Sequence, residues 1–204
     1  MSLAQALWKS NLDGAQRTLA HPFVRGLGDG SLPVSCFKRY VAQDAYFLEA
    51  FARAYAFCLA HSRSRQDLYD FAQLIVGVLD ELKLHAAYAE RWSVDLAHVV
   101  PGTATRAYVD FLLETARTGE LGETIAAMTP CMRLYAFLGQ TLSRGEVAPL
   151  YADWVKTYAD PGFETLASQL ERLLDTHAVD SEPVRANYRR AMELEYDFFA
   201  ACLS

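Results

Sequence analysis

The sequence predicts an all-α protein, one bundle of amphipathic helices spanning residues 1–204 as a single domain. Three observations carry this expectation. Apolar residues recur at three- and four-residue intervals along most of the chain. No stretch sustains the alternation of β-branched residues that a half-buried strand requires. Glycine and proline cluster at a few points, cutting the chain into helix-sized pieces, and no repeat or linker divides it further.

Leu3, Leu7, Trp8, Leu12 and Ala15 mark the buried face of an opening helix. His21 precedes Pro22 where that helix stops, and reads as a polar hinge. The stretch 26–33, with Gly26, Gly28, Gly30 and Pro33, reads as a loop. Ser31 is the expected cap of a long helix, with Pro33 close to its first turn. In that helix Phe37, Tyr40, Val41, Phe47, Leu48, Phe51, Tyr55 and Cys58 form one broad stripe. Asp44 sits in its middle. A carboxylate there must be paired or hydrogen-bonded, and the plainest partner is a buried tyrosine.

A second long helix is expected over 66–92, a turn at Val99-Val100-Pro101-Gly102, and a helix over 103–115. Another follows Gly119 and Gly122, over 123–142. A short helix carries Trp154 and Tyr158 and ends at Asp160-Pro161-Gly162. Two more, over 163–177 and 182–203, close the bundle.

Composition narrows the function classes. With 204 residues, 52% apolar and 12% aromatic, the chain can bury enough surface to offset its ordering entropy. A formal charge of -6 and the lack of any Lys or Arg run argue against a nucleic-acid partner. The four cysteines are widely spaced and form no Cys-x-x-Cys pair, which excludes a disulfide framework and a thiolate metal site. Residues 1–20 do not read as a secretory signal, and no apolar run approaches the roughly 20 residues of a membrane helix. The expectation is a cytoplasmic protein with free thiols and no membrane partner.

There is no Gly-x-Gly-x-x-Gly after a strand, no phosphate loop and no His-Glu-x-x-His. Glu81 and His85 share a helix face. A carboxylate-bridged di-iron bundle would need Glu-x-x-His on two helices, so a structural Glu–His pair is favoured and no metal is expected. His61, His98 and His177 have no partner legible in the sequence.

Cys131 follows Thr129-Pro130, and Pro130 either starts a helix or kinks one. Either would free backbone N–H groups near the thiol and favour the nucleophilic thiolate. The competing reading is a small buried hydrophobe, and on local sequence alone that one weighs more. Glu195 flanks the apolar row Leu194, Phe198 and Cys202, so an inward carboxyl and a solvated one both stay open. Tyr108, Tyr135 and Tyr158 read as core residues with satisfied hydroxyls.

Taken together these residues resemble the TenA family (thiaminase II, aminopyrimidine aminohydrolase). His21-Pro22-Phe23-Val24 and Gly28-Asp29-Gly30-Ser31-Leu32 resemble the opening of its members. So does the segment from Phe37 to Leu48, with Gln43-Asp44 before the aromatics Tyr46 and Phe47. Tyr108, then Thr129-Pro130-Cys131 with Tyr135, then Trp154 with Tyr158, and finally Glu195-Tyr196 complete an ordered series spanning essentially the whole chain.

The resemblance implies a haem-oxygenase-like helical fold, a homotetramer, and cleavage of the bond between an aminopyrimidine methylene and its leaving group. Thiamin and aminomethylpyrimidine would be the substrates, in thiamin salvage, with hydroxymethylpyrimidine as product and no cofactor. Cys131 would be the nucleophile and Glu195 the acid–base partner. Asp44 would bind the aminopyrimidine, and Tyr108, Tyr135, Tyr158 and Phe47 would line the pocket. Phe47 departs from members that carry a tyrosine there, which leaves the tuning of Cys131 open. The rival expectations are a non-catalytic pyrimidine-binding protein and a haem- or quinone-cofactor oxygenase on the same fold; a colourless protein is expected.

Overall fold

The computed structural model describes residues 1–203, which form ten α-helices and, among the described residues, no strand. In chain order they are α1 (Leu3–Ser10), α2 (Leu12–Leu19), α3 (Pro22–Asp29), α4 (Val34–His61) and α5 (Arg65–Trp92). Then come α6 (Thr103–Thr118), α7 (Leu121–Leu142), a 3-10 turn at Pro149–Tyr151, α8 (Ala152–Ala159), α9 (Pro161–His177) and α10 (Glu182–Leu203).

The expected helices are all present, and the departures lie at their ends. Pro22 and Pro161 each occupy the first turn of a helix, where a missing N–H costs nothing. His21 is therefore the cap of α3, its Nδ1 accepting from the Phe23 amide at 3.2 Å, rather than a hinge. Gly26 and Gly28, expected in a loop, are helical; only Gly30, at φ +78°, turns the chain. Ser31 does not cap α4: Pro33 holds the cap position, no side chain bonds the first amides, and the Cys36 and Phe37 amides donate to the Pro33 carbonyl. The single opening helix is two, broken at Asn11, whose side chain donates to the Leu7 carbonyl at 2.8 Å.

α7 is the central element, packed against α4, α6, α8, α9 and α10. Its residues from 124 to 132 are all buried, as expected of a helix with no polar face. Arg133 ties it to α9 through paired bonds to Glu164 (2.9 Å, 2.9 Å) and Glu171 (2.8 Å, 2.6 Å). α4 and α5 form an antiparallel hairpin on one side, and α10 lies along α7 on another. No helix among the described residues is long and apolar enough to cross a membrane.

Candidate active site

The site lies where α4, α5, α6, α7, α8 and α10 turn their inner faces toward one another. Each face delivers residues the sequence marked. α4 supplies Asp44 and Phe47, α6 Tyr108, α7 Cys131 and Tyr135, α8 Tyr158, and α10 Glu195, all buried.

Glu195 is 1% exposed, so the inward alternative holds. The Tyr108 hydroxyl donates to its Oε1 at 2.8 Å, and the Cys131 thiol lies in hydrogen-bonding contact with the same carboxyl. Burial pushes Glu195 up to about 8; the Tyr108 and Cys131 bonds pull it down, while the charges of Asp44 and Glu81 raise it. The Phe47 ring packs on Tyr108 at 4.6 Å between centroids.

The weightier local reading of Cys131, a small buried residue, holds for its resting state, and the local case for a thiolate fails. Pro130 lies inside α7, not at its start, so Cys131 does not sit in a helix N-terminal field. A mid-helix proline removes a donor and strands the carbonyl four residues back, here that of Ala126; it frees no amide. Burial holds the thiol well above its ordinary value, and the charges of Glu195, Glu81 and Asp44 add to this. Cys131 is a protonated thiol at rest, and its ionisation needs a base.

Asp44 is paired with a histidine rather than a tyrosine. Its Oδ2 lies 2.8 Å from His85 Nε2, both residues being buried. His85 Nδ1 faces the Glu81 backbone carbonyl at 3.0 Å, and a carbonyl can only accept, so Nδ1 carries hydrogen. Burial alone would depress the imidazole; the bond and charge of Asp44, with Glu81, outweigh it and hold His85 above its ordinary value. The expected Glu81–His85 side-chain pair is thus replaced by an Asp44–His85 ion pair. The Glu81 carboxyl instead accepts from Tyr158 at 2.5 Å and is pushed up to about 7 by burial and the Asp44 charge, His85 and Tyr158 opposing.

Tyr40 and Trp154 complete the aromatic wall: Trp154 Nε1 donates to the Tyr40 hydroxyl at 3.1 Å, and that hydroxyl also meets those of Tyr135 and Tyr158. The Tyr135 and Tyr158 rings meet edge-on at 4.7 Å. A cleft of about 600 Å³ opens beside this cluster. Leu74, Val78, Leu84, Met132 and Phe163 line it, and Glu81 is the residue it shares with the buried groups.

Sequence reasoning missed Tyr40, Glu81 and His85 as site members. Tyr40 stands four residues before Asp44 and Glu81 four before His85, so the spacing held the signal. No group of three or more potential metal ligands occurs among the described residues.

The TENA/THI-4/PQQC family model matches residues 8–204. An aminopyrimidine aminohydrolase of Halalkalibacterium halodurans is 35% identical over 182 residues, covering 86% of this chain and 78% of that protein. The mitochondrial bifunctional TH2 protein of Arabidopsis thaliana is 33% identical over 208 residues; the match takes in 88% of this chain but 34% of that longer protein. Among solved structures, a TenA family transcription regulator from Silicibacter sp. TM1040 superposes with a TM-score of 0.92 at 25% identity, over 98% of this chain and 96% of that one. The fold is the helical haem-oxygenase-like one of such proteins, and this chain belongs to the TENA/THI-4/PQQC family.

Proposed function

We propose that the protein is an aminopyrimidine aminohydrolase of the thiaminase II type, which hydrolyses the carbon–nitrogen bond at the methylene of an aminopyrimidine. Aminomethylpyrimidine and thiamin would be its substrates, in salvage of degraded thiamin. The observation that carries this reading is the contact between the Cys131 thiol and the Glu195 carboxyl inside a closed aromatic site. Binding alone needs no thiol beside a base. The likeness to the aminohydrolase of H. halodurans supports the same reading.

The chemistry follows from the residue types. Glu195, once ionised, takes the proton of Cys131, and the thiolate adds to the pyrimidine ring. Addition breaks the aromaticity that blocks departure of the leaving group. The ring electrons then expel the amine, which Glu195 protonates. Water, deprotonated by the same carboxylate, adds to the exposed methylene; the ring regains aromaticity as the carbon–sulfur bond breaks, and the thiol recovers its proton. The Asp44–His85 pair serves the ring nitrogens, where charge builds up during addition. Tyr135, Tyr158 and Phe47 supply flat faces and hydroxyls. A homotetramer in the cytoplasm is the working assembly of this reading.

The decisive experiment is hydroxymethylpyrimidine release from aminomethylpyrimidine by the natural chain and by Cys131→Ser. The variant should lose roughly a hundredfold or more in rate and keep its affinity. Binding without turnover by both proteins would instead identify a pyrimidine-binding protein.

A further inference from the structure

Among the described residues three buried tyrosine hydroxyls lack a hydrogen-bond partner, those of Tyr55, Tyr88 and Tyr188. Such groups are rare because an unpaired buried donor costs free energy, so each calls for a physical reason. Tyr188 lies in the field of Glu171 and Arg133, and Tyr88 in that of Asp153, Arg91 and Glu81 with Thr157 beside it, neither of them under the influence of Cys131. Tyr55 differs. It follows Phe47 and Phe51 along the inner face of α4, with ring centroids 5.5 Å and then 5.0 Å apart, and it is fully buried. Of the ionisable groups near it, Cys131 acts most strongly on its hydroxyl, ahead of Cys58 and Glu81.

The other donors around Cys131 are already committed. Tyr108 donates to Glu195, Tyr158 to Glu81, and His85 to Asp44 and the Glu81 carbonyl. Tyr135 shares its hydroxyl with Tyr40, and Phe47 has none to give. Cys131 is meanwhile surrounded by acids: Asp44 from α4, Glu81 from α5 and Glu195 from α10, with Tyr108 from α6. A thiolate forming there has passed its proton to Glu195 and still faces the carboxyls of Asp44 and Glu81. Of the two other groups acting on Tyr55, Cys58 is held near 12 by burial, and Glu81 already receives Tyr158.

We propose that the Tyr55 hydroxyl is the donor held in reserve for the Cys131 thiolate, unpaired at rest and bonded once sulfur carries charge. An interaction absent from the resting site and present in the charged state lowers the barrier without tightening the ground state. Tyr55 is thereby a positioning residue for the nucleophile. The assignment rests on the reading of Cys131 as the reacting thiol.

The test compares natural protein, Tyr55→Phe and a protein carrying 3-fluorotyrosine at position 55. The readouts are thermal midpoint, the pH dependence of Cys131 alkylation by iodoacetamide followed by site-resolved mass spectrometry, and aminomethylpyrimidine kinetics. Tyr55→Phe removes an unpaired polar atom, so the thermal midpoint should hold or rise. The alkylation midpoint should move up by about one pH unit, and kcat should fall roughly tenfold with KM little changed. The more acidic fluorotyrosine should move the alkylation midpoint down. Unchanged alkylation and kcat in both altered proteins would make Tyr55 a packing residue and overturn the proposal. If the natural protein turns over no aminopyrimidine while the alkylation midpoint still moves, the donor role stands and the reaction assigned to the site falls.

Discussion

A carboxylic acid kept protonated near neutrality behaves differently from a surface one, and Glu195 is such a group. Its ordinary value is 4.5 and the fold raises it to about 8. Between these values the folded protein keeps a proton that the unfolded chain has lost. The stabilisation from that proton is complete below pH 4.5 and is lost as pH rises through about 8. Glu81, raised from 4.5 to about 7, acts in the same sense. Glu195→Gln should therefore change the thermal midpoint little near pH 5 and raise it near pH 8, which a pair of melting curves at each pH would check. The activity runs the other way. A base must be ionised, so kcat/KM should climb toward about pH 8 in the natural protein, and a flat profile would remove Glu195 from the base role.

Single helices set how closely these groups approach. On α7, Cys131, Tyr135 and Gly139 are spaced four residues apart and share one face. At Gly139 an added Cβ would collide with the backbone of Tyr158 and lie 2.6 Å from the Ala159 nitrogen. The missing side chain is what lets α8 lie on α7 and bring the Tyr158 ring to Tyr135. Gly139→Ala should force α8 outward, costing about 1–3 kcal/mol in urea unfolding and reducing turnover as Tyr158 leaves Glu81. Gln43 works in the same way on α4. Its Oε1 accepts from the Gly102 amide (2.8 Å) and the Thr105 hydroxyl (2.6 Å), while its amide donates to the Val100 carbonyl (3.0 Å). These bonds fix the start of α6, and so the approach of Tyr108 to Glu195.

For the whole molecule, the informative surface is on α5. Tyr69 (63% exposed), Val76 (55%) and Leu79 (47%) leave apolar area in water along a helix whose other face packs on α4. This supports the proposed homotetramer. Light scattering coupled to gel filtration should give four times the 22.8 kDa chain mass, and Val76→Glu with Leu79→Lys should lower it. A monomer in the natural protein would set the tetramer aside while leaving the internal site untouched.

How much of this was legible depends on the range of the forces involved. Helix identity and the buried stripe holding Asp44 were readable because periodicity and composition act within a few turns. Cys131, Glu195, Tyr108, Tyr135 and Tyr158 do converge, and the ordered resemblance located them when their local context left alternatives open. Helix starts at Pro22 and Pro161 were misread because a proline that ends one helix also opens the next. The partners were beyond local reading. Asp44 takes His85, 41 residues on, and Glu195 takes Tyr108, 87 residues back, and only the packing of helices decides such meetings. The state of the Cys131 thiol shows the same division: the proline beside it offered a thiolate as the lesser of two local readings, and only the packing reveals the three acids from three other helices that, with burial, keep it protonated, because charge acts through space rather than along the chain.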